Sequence, residues 1–154
     1  MEHMRDLRKA HQMSVMVHIA FMASLMIYIL IVEILRGSLQ DFRGFTENVN
    51  LSWIRYIFFA LGLAQIFFIR FMRDTLSKGM TSANVRGLIA HLTRISIFSS
   101  ALSEVPTFLG LVLFLIGSST REFYVLTFIS VVLFILYFPR YSNWEEWIKT
   151  RTNL

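Results

Sequence analysis

Polar residues in this chain are largely confined to the gaps between four long apolar runs. The first run covers 13–35 and is broken only by Ser14, His18, Ser24, Tyr28 and Glu33. At ~1.5 Å per helical residue it reaches ~34 Å, enough for the ~30 Å hydrocarbon core of a bilayer. The second, 53–72, has Gln65 as its one polar interior residue, with Arg55 and Arg70 near its ends. The third, 95–116, contains Ser96, Ser99, Ser100, Ser103, Glu104, Pro106 and Thr107. The fourth, 123–138, is short, but Tyr124 and Tyr137 suit two membrane interfaces and Pro139 closes it. No stretch alternates with period two, which argues against a β-barrel. The pattern predicts an all-α membrane protein, a single domain over 1–154 with four transmembrane helices.

The connection between the second and third runs is itself patterned. Val85, Leu88, Ile89, Leu92 and Ile95 follow helical spacing, with Arg86, His91 and Arg94 on the other face. Ser82 suits an N-cap, so the third helix is expected from about Ala83, and the second to overrun to about Leu76. Together they predict a helical hairpin rising ~15 Å beyond the membrane and turning over Lys78, Gly79, Met80 and Thr81. Near the C-terminus, Trp144, Trp147 and Ile148 share one face of a predicted short interfacial helix at headgroup depth, with Asn143 as its cap.

Composition narrows the classes. Hydrophobic residues make up 55% of the 154, charged residues 16%, and there is no cysteine, which excludes disulfides, thiolate metal sites and cysteine nucleophiles. The net charge of +5 sits mostly at the ends of the apolar runs, so a membrane explains it better than nucleic acid does. Arg5, Arg8 and Lys9 resemble a signal-peptide n-region, but the run that follows is too long for an h-region, and an uncleaved first span is expected. Eleven of the 15 Lys and Arg fall beside the two termini and the middle connection, whereas Arg36, Arg43, Arg55 and Arg121 fall on the other side. The positive-inside rule then places both termini and the hairpin in the cytoplasm, and a bacterial inner membrane is the expected location.

Candidate chemistry centres on Glu104, about nine residues into the third run. An acid at that depth costs ~2.5 kcal/mol or more on insertion scales, so it must be protonated, paired or facing water. Pro106 beside it removes a backbone hydrogen bond and is expected to kink the helix. His18 and Gln65 lie at comparable depths, within ~6 Å of Glu104 along the bundle axis. A proton or cation site is therefore expected from Glu104 and His18, with Gln65 and Ser100 as hydrogen-bond partners. The competing expectation is that Glu104 only fixes packing and that His18 is satisfied by a serine or a backbone carbonyl.

Ser96, Ser103, Gly110 and Gly117 recur every seven residues, a stripe for close helix packing, with Ala20, Ser24, Ala60 and Ala64 as possible facing residues. Arg70, Arg73, Lys78, Arg86 and Arg94 make the hairpin basic, suited to anionic lipid or an acidic partner. A solvated charge is expected at Glu33. His11, His18 and His91 do not share a depth, so no haem, and no other cofactor or metal, is expected. The triplet Asn50, Leu51 and Ser52 matches a glycosylation sequon. No phosphate loop, nucleophile elbow or HExxH motif is present, which argues against a hydrolytic enzyme.

The segment 101–113, which reads Ala-Leu-Ser-Glu-Val-Pro-Thr-Phe-Leu-Gly-Leu-Val-Leu, resembles the carboxylate helix of rotary ATPase proteolipid (c-type) subunits. Four spans and this length also resemble the duplicated proteolipids of vacuolar-type enzymes, and the resemblance implies that Glu104 matches their ion-carrying carboxylate. The chain departs from them in placing the acid on the third helix, in Pro106, and in lacking a glycine-rich inner helix. It is equally similar to small bacterial four-helix membrane proteins with a Leu-x-Glu-x-Pro third span. The expected role is a non-catalytic subunit or scaffold of a membrane complex, docking membrane-protein partners or further copies of itself. The alternative is a bundle that binds or translocates a proton or cation.

Overall fold

A computed structural model describes residues 2–38, 44–45, 51–78 and 85–152. It contains five helices and, among the described residues, no strand: α1 (Glu2–Ser38), α2 (Leu51–Lys78), α3 (Val85–Gly117), α4 (Thr120–Leu136) and α5 (Tyr141–Thr152). Three of them, α1, α2 and α3, are each long and apolar enough to cross a membrane. The short α4 joins them only when taken with α5, from which it is bent by 48°.

α3 is the hub, packing against all four other helices, while α1 and α2 each lie against the α3–α4 pair. α3 and α4 approach closely at Gly110, where an added Cβ would stand 3.1 Å from Phe123 Cα. Gly62 does the same for α2, with Leu126 at 3.0 Å and Pro106 at 3.6 Å from its missing Cβ. The small-residue stripe therefore works inside the chain. Ser103 and Gly110 are buried, with α4 against Gly110; Ser96 and Gly117 are partly buried. Of the facing residues expected from sequence, only Ser24 turns inward; Ala20, Ala60 and Ala64 are exposed.

α3 continues through the buried Pro106. Beside this imino acid, the Thr107 N–H donates to Ser130 Oγ of α4 at 3.0 Å, so a side chain of the neighbouring helix takes part in the backbone bonding there. α3 ends as Ser118 adopts a φ of 56°, its N–H bonding to the Phe114 carbonyl at 2.7 Å. The chain turns at once into α4, three residues earlier than the apolar run suggested. Beside this turn, Phe45 N donates to the Leu115 carbonyl at 2.9 Å, and Gly44 takes a φ of +84°, where a Cβ would strike the Ile116 and Gly117 backbone.

Two boundaries differ from the sequence pattern for one reason. α1 starts at Glu2, well before its apolar run, because Leu7 and Ala10 continue its inward face onto the start of α3. α5 does not spread its apolar face on a headgroup layer. Trp144 and Ile148 are buried against Leu7 and Ile89, with Ala10, Val85, Leu92, Tyr141 and Trp147 packed around them. Asn143 lies inside α5 and is not its cap, since the helix begins at Tyr141. This small core gathers the beginnings of α1 and α3 and the C-terminal helix at one end of the bundle. α2 reaches Lys78, and His91 Nε2–H donates to the Leu76 carbonyl at 3.0 Å, so the α2–α3 extension is a tied pair. The expected cap Ser82, the start at Ala83, the Gly79–Thr81 part of the turn and Asn50 of the sequon lie outside the described residues.

The remaining surface of the helices is apolar to an unusual degree. Met16 on α1 and Trp53, Phe67 and Phe71 on α2 are between 69% and 76% exposed, and Phe128 and Ile135 extend the band onto α4.

Candidate functional site

The seam between α1 and α3 is polar inside an otherwise apolar bundle. Ser14, His18, Ser24 and Tyr28 recur every four to six residues on α1, and all turn inward or are half-buried. They face the serine-rich side of α3, where Ser99, Ser100 and Ser103 are buried. Ser99 Oγ and Ser103 Oγ bond back to the carbonyls four residues earlier, at 2.8 and 2.7 Å, which satisfies each hydroxyl without a second helix.

His18 is fully buried. Its Nδ1 lies 2.8 Å from Ser100 Oγ and its Nε2 3.1 Å from the Phe134 carbonyl. A carbonyl only accepts, so Nε2 carries a hydrogen. Phe134 is in the last turn of α4, where carbonyls lack helical donors. His18 is thus a cap for α4, supplied by α1, with its ring edge-on to Phe134 and Phe138 at 5.0 and 5.2 Å. One heptad earlier, His11 Nε2–H donates to the Pro139 carbonyl at 2.8 Å. The two histidines of α1 secure the break between α4 and α5.

Glu104 makes a separate set of bonds. Its Oε1 accepts from Ser24 Oγ at 2.5 Å and from Tyr28 Oη at 2.7 Å. Among the described residues no cation is paired with it. Ser24 Oγ also lies 2.6 Å from the Phe21 carbonyl. One hydroxyl proton therefore has two acceptors. With the proton on Glu104, the carboxyl donates to Ser24 and Ser24 donates to Phe21; without it, Ser24 turns to the carboxylate. Ser100 stands in the same position beside His18, because its Oγ is also 2.9 Å from the Ser96 carbonyl. In each place the serine hydroxyl lies within reach of both a backbone carbonyl of its own helix and the side chain facing it.

Of the four residues expected to share one cluster, the structure joins His18 to Ser100 and gives Glu104 partners of its own. Ser100 and Glu104 are one helical turn apart on α3. Gln65 belongs to neither set, and its buried Oε1 has no hydrogen-bond partner. The sequence pattern assigned Ser24 only a packing role and Tyr28 none, although their spacing with Ser14 and His18 on one face of α1 carried the signal. Replacing Tyr28 by Phe removes one of the two hydroxyl donors to Glu104. We expect it to lower bundle stability by ~0.6 kcal/mol and by no more than ~1.7 kcal/mol, measured by unfolding in mixed micelles.

At the opposite end of the bundle from α5, Tyr124 Oη donates to Glu33, which also lies 3.9 Å from Arg36. Arg55 Nε stands 3.1 Å from Glu122 Oε1, tying α2 to the start of α4, although its N–H is not aimed along a hydrogen bond. Of the basic residues between the second and third runs, Arg70, Arg86 and Arg94 are exposed, and Arg86 is 3.8 Å from Asp6. Arg73 stacks its guanidinium over the Tyr137 ring at 5.3 Å; the Lys78 side chain is outside the described set.

Among the described residues, no group of three or more His, Cys, Asp or Glu is placed to hold a metal ion. Comparison with known proteins finds no matching family model, no matching curated protein and no matching solved structure.

Proposed function

We propose that the chain is a small integral membrane protein that serves as a non-catalytic subunit or scaffold of a membrane assembly. Exposure of Met16, Trp53, Phe67 and Phe71 supports the membrane reading, since a water-soluble bundle has no reason to present such a band. The excess of Lys and Arg at one end supports a cytoplasmic location for α5, the α2–α3 extension and the N-terminus. The core of Leu7, Ile89, Trp144 and Ile148 is consistent with that sidedness, because it gathers those segments at the same end.

The observation that carries the scaffold reading is how the inner polar groups are used. His18 caps α4, and Glu104 takes hydroxyls from α1, so each links helices of the same chain. In the packing stripe, Gly110 is covered by α4 and Ser103 is buried inside the chain. Outward, α2 leaves Ala60 and Ala64 exposed one turn apart, a low strip that lets the helix of another chain approach closely. Cross-linking in native membranes tests this. The wild-type chain is expected in an adduct with a second copy or another membrane protein, and A60L/A64L is expected to lose it while remaining folded. A wild-type chain that cross-links to nothing would sink the subunit reading.

One observation favours the alternative, a proton-binding bundle. Among the described residues no cation is paired with Glu104, and Ser24 accommodates both of its protonation states. Carbodiimide labelling near neutral pH, located by mass spectrometry with E104Q as control, separates the two. Labelling at Glu104 favours the proton site; an unlabelled Glu104, with a hydrophobic carbodiimide reaching the bundle, favours the structural tie.

A further inference from the structure

At the end of the bundle that carries α5, the last turns of α2 and α4 and the bend after α4 enclose an open groove of about 690 Å³. Its polar lining is unbalanced, with Arg70 and Arg73 from α2 and Arg140 from the bend, against the single carboxylate of Asp74. Among the described residues, Arg70 and Arg140 have no hydrogen-bond or ion-pair partner. Arg73 is held on the Tyr137 ring, and Tyr137 is itself anchored by its hydroxyl to the Ile66 carbonyl at 3.0 Å. One guanidinium is thus fixed in place while two others face the same space.

The rest of the lining changes character in one direction. Ile66, Ile135 and Leu136 form an apolar part of the lining, and Ile135 and Leu136 are about 60% exposed. Below them, along the same two helices, the apolar band of α2 and α4 continues. Cationic forks above an open apolar wall match a molecule with a phosphate head and hydrocarbon tails.

We propose that this groove binds the phosphate headgroup of an anionic phospholipid, with Arg70, Arg73 and Arg140 on the phosphodiester and the acyl chains lying along Ile66, Ile135 and Leu136. The site rests on the membrane reading above. It differs from a general basic surface in joining residues from two helices and a bend around one cavity, and in excluding the equally exposed Arg94.

The test uses full-length protein purified in a neutral detergent and titrated with phosphatidylglycerol, read by native mass spectrometry. Phosphatidylcholine and inorganic phosphate serve as parallel probes. The wild-type chain is expected to retain phosphatidylglycerol over phosphatidylcholine. R70Q/R140Q, which alters exposed side chains only, is expected to bind it roughly 30-fold more weakly, and R94Q to match the wild type. Equal binding by R70Q/R140Q and wild type would overturn the site, as would an equal loss in R94Q. Displacement of the lipid by millimolar inorganic phosphate would also overturn it, because the groove would then be a free-anion site. Alkaline carbonate washing of membranes keeps the two levels apart. A chain released by the wash refutes the membrane reading itself, whereas an embedded chain without selective lipid refutes only the groove.

Discussion

Gly110→Leu is expected to destabilise the bundle by more than about 3 kcal/mol, beyond the usual range for overpacking. The first carbon added at this position already stands 3.1 Å from Phe123 Cα, 3.2 Å from Phe123 O and 3.2 Å from Leu126 Cβ. Two of these atoms are backbone and the third is a Cβ, so none can step aside by a rotamer change. Alanine would push α3 and α4 apart by a few tenths of an ångström. Leucine adds three further carbons into a region already filled by Leu111, Phe114 and Phe123, all buried in one cluster with Val32. Gly37→Leu is the matched control, because nothing lies within 4 Å of the Cβ it would add. Its cost should stay within about 0.5 kcal/mol. Circular dichroism during unfolding in mixed dodecyl maltoside and dodecyl sulfate micelles measures both. Equal midpoints for G110L and G37L would mean that α3 and α4 do not meet at Gly110.

The same glycine shows what can be read from the chain alone. Its place in a seven-residue stripe with Ser103 marks it as a packing position, but the stripe does not say which helix covers it. Apolar helices carry little rotational information, since almost every face is hydrophobic, so the small residues Ala60, Ala64 and Ala20 looked suitable where Phe123 and Leu126 in fact meet Gly110. The long runs were legible because length and hydropathy against a ~30 Å layer decide them without knowing any partner. The start of α1 and the inward face of α5 were not, because both depend on a contact between opposite ends of the sequence: Leu7 and Ala10 have little value as a hydrophobic pattern until Trp144 and Ile148 meet them. The polar residues behaved similarly. Depth along the axis grouped His18, Gln65 and Glu104, whereas helix rotation sets His18 against Ser100, sends Glu104 to Ser24 and Tyr28, and leaves Gln65 outside both sets.

His18→Ala is the second large effect, expected at roughly 2–4 kcal/mol of bundle stability. Hydrogen bonds alone do not account for it. Interhelical bonds in membranes average ~0.6 kcal/mol, so the two made by Nδ1 and Nε2 supply only about a third. The larger share comes from the cavity left by a fully buried ring that packs edge-on to Phe134 and Phe138. A third contribution is specific to this fold. The Phe134 carbonyl belongs to the last turn of α4, where carbonyls lack helical donors, so losing Nε2–H leaves a buried acceptor unpaired at the break between α4 and α5. The damage should therefore be local as well as global. Hydrogen exchange is expected to rise at Tyr137, Phe138 and Arg140 more than at the far end of α4 near Phe123. His11→Ala, which removes the weaker-buried bond to the Pro139 carbonyl, should raise exchange at the same residues with a smaller loss of stability. His18→Gln separates the two origins, because its amide N–H can still reach the carbonyl while its smaller side chain fills less of the ring's space. Recovery of exchange protection without full recovery of stability would assign the cap to hydrogen bonding and the remainder to packing. An unchanged exchange pattern in His18→Ala would show that α4 ends securely without α1, and His18 would lose its structural role.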